Sequence, residues 1–154
     1  MKTYVDANAF IRLYLDLPGS LETEKALREP GTARFGPILI TQLLQFEITN
    51  GLERMVFESR QGGQWRVTTE TAACALADFN EDLVAGIFIL PSPLTLAEID
   101  PEFTSLVARY TAKHGFRTYD MLHVASALKL RCKRFFSFDA KANALAKLVG
   151  LKTR

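Results

Sequence analysis

Short apolar segments alternating with amphipathic stretches do most to limit what this chain can fold into. Residues 2–5, 38–40, 86–90 and 134–138 read as strands, with 151–153 as a last short one. Helical spacing fills the intervals. It covers 8–15, then 20–28 behind a Pro18-Gly19-Ser20 turn, where Ser20 can cap the helix. Thr41 can cap a helix running to about residue 58, in which Leu44, Ile48, Leu52, Met55 and Val56 recur on one face. Further helices are expected over 68–84, 96–114, 120–130 and 140–149, the third-last closed by Gly115 and the last by Gly150. Asp100-Pro101 is a point where 96–114 could be interrupted. Residues 29–37, rich in Gly and Pro, and 59–64, with Gly62-Gly63, read as loop and turn. Strands separated by helices require crossover connections, so the expected architecture is α/β, a three-layer α/β/α sandwich around a central, mainly parallel sheet.

One domain of 154 residues is long enough to bury its own core, so a metal would be functional rather than a structural staple. No apolar run approaches the roughly 20 residues of a membrane span, and no basic stretch followed by an apolar core opens the chain. A cytoplasmic protein without a membrane association is the expectation. Cys74 and Cys132 show no CxxC or zinc-type spacing, which predicts two reduced, buried thiols.

Charge is unevenly distributed. Residues 1–100 carry 8 Lys and Arg against 14 Asp and Glu, whereas 101–154 carry 11 against 3. A basic third that attracts phosphates, beside carboxylates that hold a cation, would suit a metal-dependent enzyme acting on polyanions; a solvated helix face would show the same bias.

Four acids stand where apolar residues or solvent-facing positions would be the norm. Asp6 directly follows the first strand and Asp139 the fourth, so both fall at the carboxyl edge of a parallel sheet, where ligands of open α/β folds bind. Asp120 opens a helix after Arg117-Thr118-Tyr119, and Glu47 lies on the flank of the apolar stripe of its helix. Helix capping alone would account for Asp6, Asp120 and Asp139, and a surface ion pair with Arg54 for Glu47. Neither explains why all four would converge. Carboxylates a few ångströms apart repel, and a divalent cation relieves that repulsion; oxygen-only ligands favour Mg²⁺ or Mn²⁺ over zinc. Such an ion polarises phosphoryl oxygens and activates water, which suits phosphodiester hydrolysis.

These residues resemble those of a known family. Tyr4-Val5-Asp6-Ala7-Asn8-Ala9-Phe10, Phe46-Glu47-Ile48 with Gly51-Leu52, Tyr119-Asp120-Met121-Leu122-His123-Val124-Ala125 and Phe136-Ser137-Phe138-Asp139 follow the order and spacing of PIN-domain nucleases, closest in look to VapC-type ribonuclease toxins. The resemblance implies a PIN-like fold and a Mg²⁺- or Mn²⁺-dependent endoribonuclease with Asp6, Glu47, Asp120 and Asp139 as its acidic cluster. It also implies an RNA substrate, a cognate antitoxin protein as partner, and a homodimer. Ala7 departs from the Thr or Ser many relatives carry there; Asn8 and Ser137 are assigned supporting roles.

Lys113, Arg117, Arg131, Lys133, Arg134 and Lys141, with His114, are candidates for a phosphate-binding rim. His123, one helical turn from Asp120, reads first as a hydrogen-bonded structural residue. Trp65 beside Arg66 could stack on a base or pack on its own domain. Leu76, Phe79, Leu83 and Val84 belong to the core or to a groove for a partner. The competing reading is a catalytically silent domain of the same architecture that binds RNA or protein. Phosphate-loop and dinucleotide fingerprints are missing, and aspartyl phosphotransfer through Asp6 would want an acid where Asn8 stands.

Overall fold

A computed structural model of the chain describes residues 1–28 and 36–154. Its strands and helices alternate as β1 (Thr3–Val5), α1 (Ala7–Tyr14), α2 (Ser20–Arg28), β2 (Ile38–Ile40), α3 (Gln42–Arg60), α4 (Thr69–Ala85), β3 (Ile89–Pro91) and α5 (Leu96–Leu106). A π-helical segment (Val107–Thr111), the single turn α6 (Ala112–His114), α7 (Thr118–Lys129), β4 (Arg134–Phe136) and α8 (Ala140–Leu148) complete the chain. Most of the loop expected over 29–37 lies outside the described residues.

Both strand pairs are parallel. β1 pairs with β4 in the register Tyr4 to Phe135, and β2 pairs with β3 in the register Leu39 to Leu90. β1 also packs beside β2, so the order across the molecule is β3, β2, β1, β4. The chain builds outward from β1 and then returns to the other side of it. The order therefore reverses between β1 and β4, the place where such sheets leave a crevice at their carboxyl ends. α5 packs on α7, α7 on α8, and α1 on both α2 and α3. All three residues of β1 are buried, as a strand covered on both faces requires.

Helix starts follow from side-chain oxygens. Thr41, Thr68 and Thr95 cap α3, α4 and α5, and Asp6 and Asp139 cap α1 and α8. Gly86, at φ 66°, closes α4 in the left-handed conformation. For that reason the strand expected over 86–90 begins only at Ile89, and Ile89 is its one buried residue. Pro101 does not interrupt α5. It lies on the exposed side, where water can satisfy the carbonyl its missing N–H leaves free, and the irregularity falls instead at Val107–Thr111. The strand expected over 151–153 is reduced to one bridge between Lys152 and Arg134.

Among the described residues no helix is long and apolar enough to cross a membrane. Phe79 belongs to the core, whereas Val84 projects into solvent. Cys132 is buried as expected; Cys74 is not, because it falls on the outer face of α4. Burial pushes the Cys132 thiol up to about 11. Titration with a thiol-reactive disulfide at mildly alkaline pH is expected to modify one thiol per native chain and two per unfolded chain. Two fast thiols in the native protein would contradict this packing.

Candidate metal centre

Each functional side chain is placed by a local rule of the backbone. Asp6, the residue after β1, turns back to cap α1, with Oδ1 accepting from Ala7 N–H at 2.7 Å. Its Oδ2 accepts from Asn8 Nδ2 at 2.8 Å and from Ser137 Oγ at 2.7 Å. Asn8 also donates to Ser137 Oγ at 3.0 Å and accepts from the backbone of Phe138 at 3.0 Å, tying α1 to the end of β4. Ser137 in turn accepts from Asp139 N–H at 2.9 Å. Asp139 caps α8, receiving the amides of Lys141 and Ala142 at 2.7 and 3.1 Å.

Glu47 reaches the same place from α3. Leu44, Ile48, Leu52 and Val56 form the buried stripe of that helix, and Glu47 stands at its edge with its side chain 28% exposed. Gly51, one turn further on, has no side chain to hold off Ile11, so α1 and α3 come close together beside the acids. Arg54 pairs with Glu58 at 3.0 Å, which leaves Glu47 for His123 Nε2. His123 is buried, with Nδ1 2.8 Å from the hydroxyl of Tyr4 and Nε2 3.7 Å from Asp6 Oδ1. Tyr4 itself stacks on Phe135 at 5.6 Å. A line of contacts thus runs from the β1–β4 ladder through the imidazole to Glu47.

Asp120 is buried at the start of α7, where its Oδ2 accepts from the backbone N–H of Arg117 at 3.2 Å. The Arg117 guanidinium donates to both Asp120 oxygens at 3.1 Å and to Asp139 Oδ2 at 2.9 Å. The acids therefore form two sub-clusters, one around the Asp6, Glu47 and His123 side chains and one bridged by Arg117.

All four acids line one cleft of about 570 Å³, together with Asn8, His123 and Arg117. Burial raises the Asp6 carboxyl above its ordinary value, and Glu47 adds to this against the opposing pull of His123 and Ser137. Burial would depress His123, but the Glu47 hydrogen bond and the charge of Asp6 outweigh it, so the imidazole holds its proton more tightly than usual. Asp139 is lowered: burial acts the other way, and the α8 amides and Arg117 overcome it.

The residues present fit a divalent cation. Asp6, Glu47 and His123 each offer a ligand atom, all within 4.8 Å of one another. A carboxylate oxygen can accept a hydrogen bond and ligate an ion at once, whereas His123 Nε2 has a single bonding position, already turned to Glu47; the carboxylate oxygens are thus the donors that suit Mg²⁺ or Mn²⁺. The hydrogen bonds from Asn8 and Ser137 orient Asp6 in the way outer-shell groups orient metal ligands.

The basic residues are less united. Arg117 lies in the cleft as the partner of two acids, and Lys141 stands in the first turn of α8, its backbone N–H donated to Asp139. Arg131, Lys133 and Arg134 precede or open β4, and because that strand runs parallel to β1 they sit at the opposite end of the sheet from the acids. A rim that includes these three does not match their position. Lys113 lies in α6, ahead of Arg117. Trp65 carries Arg12 over its ring, packed within the domain.

His123 and Arg117 were both singled out in the sequence, but not with these partners. His123 is the buried, hydrogen-bonded residue expected, yet nothing in the order of residues announces its contact with Glu47, 76 positions away. The bridging role of Arg117 had a signal, since an Arg three residues before a first-turn Asp can close a capping pair.

The sequence profile of the PIN domain matches residues 3–148. No curated protein matches the chain. With the acids gathered at the crevice between β1 and β4 and nearly the whole length matched, the chain belongs to the PIN domain family of nucleases.

Proposed function

We propose that this protein is a Mg²⁺- or Mn²⁺-dependent endoribonuclease and the toxin of a toxin–antitoxin pair, working as a homodimer restrained by a cognate antitoxin. The observation that carries the catalytic part is the meeting of Asp6, Glu47, Asp120 and Asp139 in one cleft, each from a different element. A scaffold would have no use for carboxylates gathered in one cleft, where burial raises the Asp6 carboxyl and Glu47 adds to it. The toxin role and its partners rest on the likeness of the four motifs to VapC-type ribonucleases.

A divalent cation on Asp6 and Glu47 would supply charge to a phosphoryl oxygen and ease deprotonation of water. The chain's own groups do the rest. Asn8 and Ser137 fix the Asp6 carboxylate, and His123, held by Tyr4, fixes Glu47. Arg117 holds Asp120 and Asp139 apart from one another's charge, and its side chain is 61% exposed, open to a substrate phosphate.

Millimolar Mn²⁺ or Mg²⁺ is expected to raise the melting temperature, because the ion binds the folded state alone. Single-stranded RNA is expected to be cut with Mn²⁺ and left whole with EDTA, and a Glu47→Gln variant to lose the activity. Melting indifferent to both ions, or equal cleavage by variant and wild type, would refute the assignment, the latter by exposing a contaminant.

A further inference from the structure

A second cavity, of about 550 Å³, opens beside the acidic cleft, and Leu43 and Phe46 line both. It lies between the start of α3, the segment after β3 and the start of α5. None of the described residues lining it is charged. The walls combine apolar side chains with the amides of Gln42 and Gln45 and the hydroxyl of Ser92. A phosphate or another ion would find no counter-charge there. An unpaired nucleobase, neutral, flat and edged with donors and acceptors, matches both halves of that lining.

The aromatic residues point the same way. Phe46 is 64% exposed and directly precedes Glu47; Tyr119 is 57% exposed and directly precedes Asp120. Both rings line the acidic cleft. Successive helical residues diverge by about 100° around the axis, so each helix sends its acid inward and the neighbouring ring toward the rim. A phosphate seated at the acids would thus have aromatic faces available to the bases around it.

We propose that the cavity behind Phe46 is a base-binding subsite, which takes one unpaired nucleobase of a single-stranded nucleic acid whose phosphate lies at the acidic cleft. The proposal rests on the nuclease reading for what occupies the cleft. A base stacked within a duplex cannot enter, so the subsite selects single strands.

The test measures binding of short single-stranded RNA by fluorescence anisotropy with Ca²⁺ in place of Mn²⁺, so that the carboxylates of the cleft are neutralised while cleavage is slowed. Wild type, Phe46→Ala and Phe46→Trp are compared on an intact strand and on a series carrying one abasic position. Phe46→Ala should weaken binding of the intact strand by about tenfold, and Phe46→Trp should restore it. One abasic position should weaken wild type to a similar degree and leave Phe46→Ala unaffected, since the two changes remove the same contact. Because Phe46 is largely exposed, circular dichroism should show the variant folded. Equal losses on intact and abasic strands, or no loss, would overturn the proposal, as would failure of wild type to bind single strands. So would a dimer that dissociates in Phe46→Ala with RNA affinity unchanged, which would make this face a contact between copies of the chain. Binding that depends on Phe46 in a protein that never cleaves with Mn²⁺ would remove the nuclease reading and leave the subsite standing.

Discussion

Replacement of Asp6 by Asn is expected to lower metal-dependent RNA cleavage by at least about 100-fold while changing metal-free stability little. Asn keeps the α1 cap, because its carbonyl oxygen can still accept from Ala7 N–H. What it loses is the negative charge and Oδ2, the oxygen that receives Asn8 and Ser137; the neutral carbonyl left at the Oδ1 position, 3.7 Å from His123 Nε2, is a poor metal ligand. Its amide would meet the Asn8 amide donor to donor, a loss of about 1 kcal/mol that relief of a buried charge offsets. Stability should carry a signature of pH. The folded-state value of Asp6 lies above its ordinary 3.8, so the stability it contributes is complete below that point and declines as pH rises through the raised value. The variant has no such decline. Without metal, its melting temperature relative to wild type should therefore shift in its favour as pH rises from the ordinary carboxylate value, 3.8, through the raised value. Steady-state cleavage and melting curves of the two proteins decide the matter: undiminished cleavage would remove Asp6 from the machinery.

Phe135→Ala is expected to cost about 3–5 kcal/mol, a large part of the stability of a domain this size. Phe135 is wholly buried in β4 and stacks on Tyr4 across the ladder, with the ring planes 5° apart. Its removal leaves a cavity under the strand that supports the site. The melting temperature should fall by about 10 °C or more, and urea unfolding should give the same ordering. Activity should fall as well at temperatures where the variant is folded, because Tyr4 holds His123 and His123 holds Glu47. Phe57→Ala, at an exposed ring on α3, should change stability by no more than about 0.5 kcal/mol. Similar melting of the two variants would contradict the core described here.

The local elements were legible because each is written in contiguous residues. Thr41 and Gly115 stand where a cap or a stop is needed, and Leu44, Ile48, Leu52 and Val56 repeat at the period of a buried helix face. The position of Asp6 and Asp139 at the cleft was readable for a similar reason, since a carboxylate immediately after a strand is fixed at the sheet's carboxyl edge by the strand itself. Where neighbours in space decided the outcome, reading failed. Cys74 was expected to be buried, but its exposure depends on which face of α4 meets the core, and the interruption near Pro101 was displaced to the π-helical segment.

The basic third of the chain shows the same division. Its charge is plain in composition, yet parallel pairing sends Arg131, Lys133 and Arg134 to one end of the sheet and Lys141 to the other. The order of amino acids by itself determined the alternation of strands and helices, the Thr41 cap, and the presence of acids at strand ends, all of which depend on interactions within a few residues; the cap expected at Ser20 is not formed, because Ser20 lies inside α2 and its hydroxyl donates to Asp16. Only the tertiary structure decided that Glu47 meets His123, that His123 rests on Tyr4, and that Arg117 joins Asp120 to Asp139. Those contacts join side chains from separate elements, and their partners are selected by packing and burial rather than by sequence spacing.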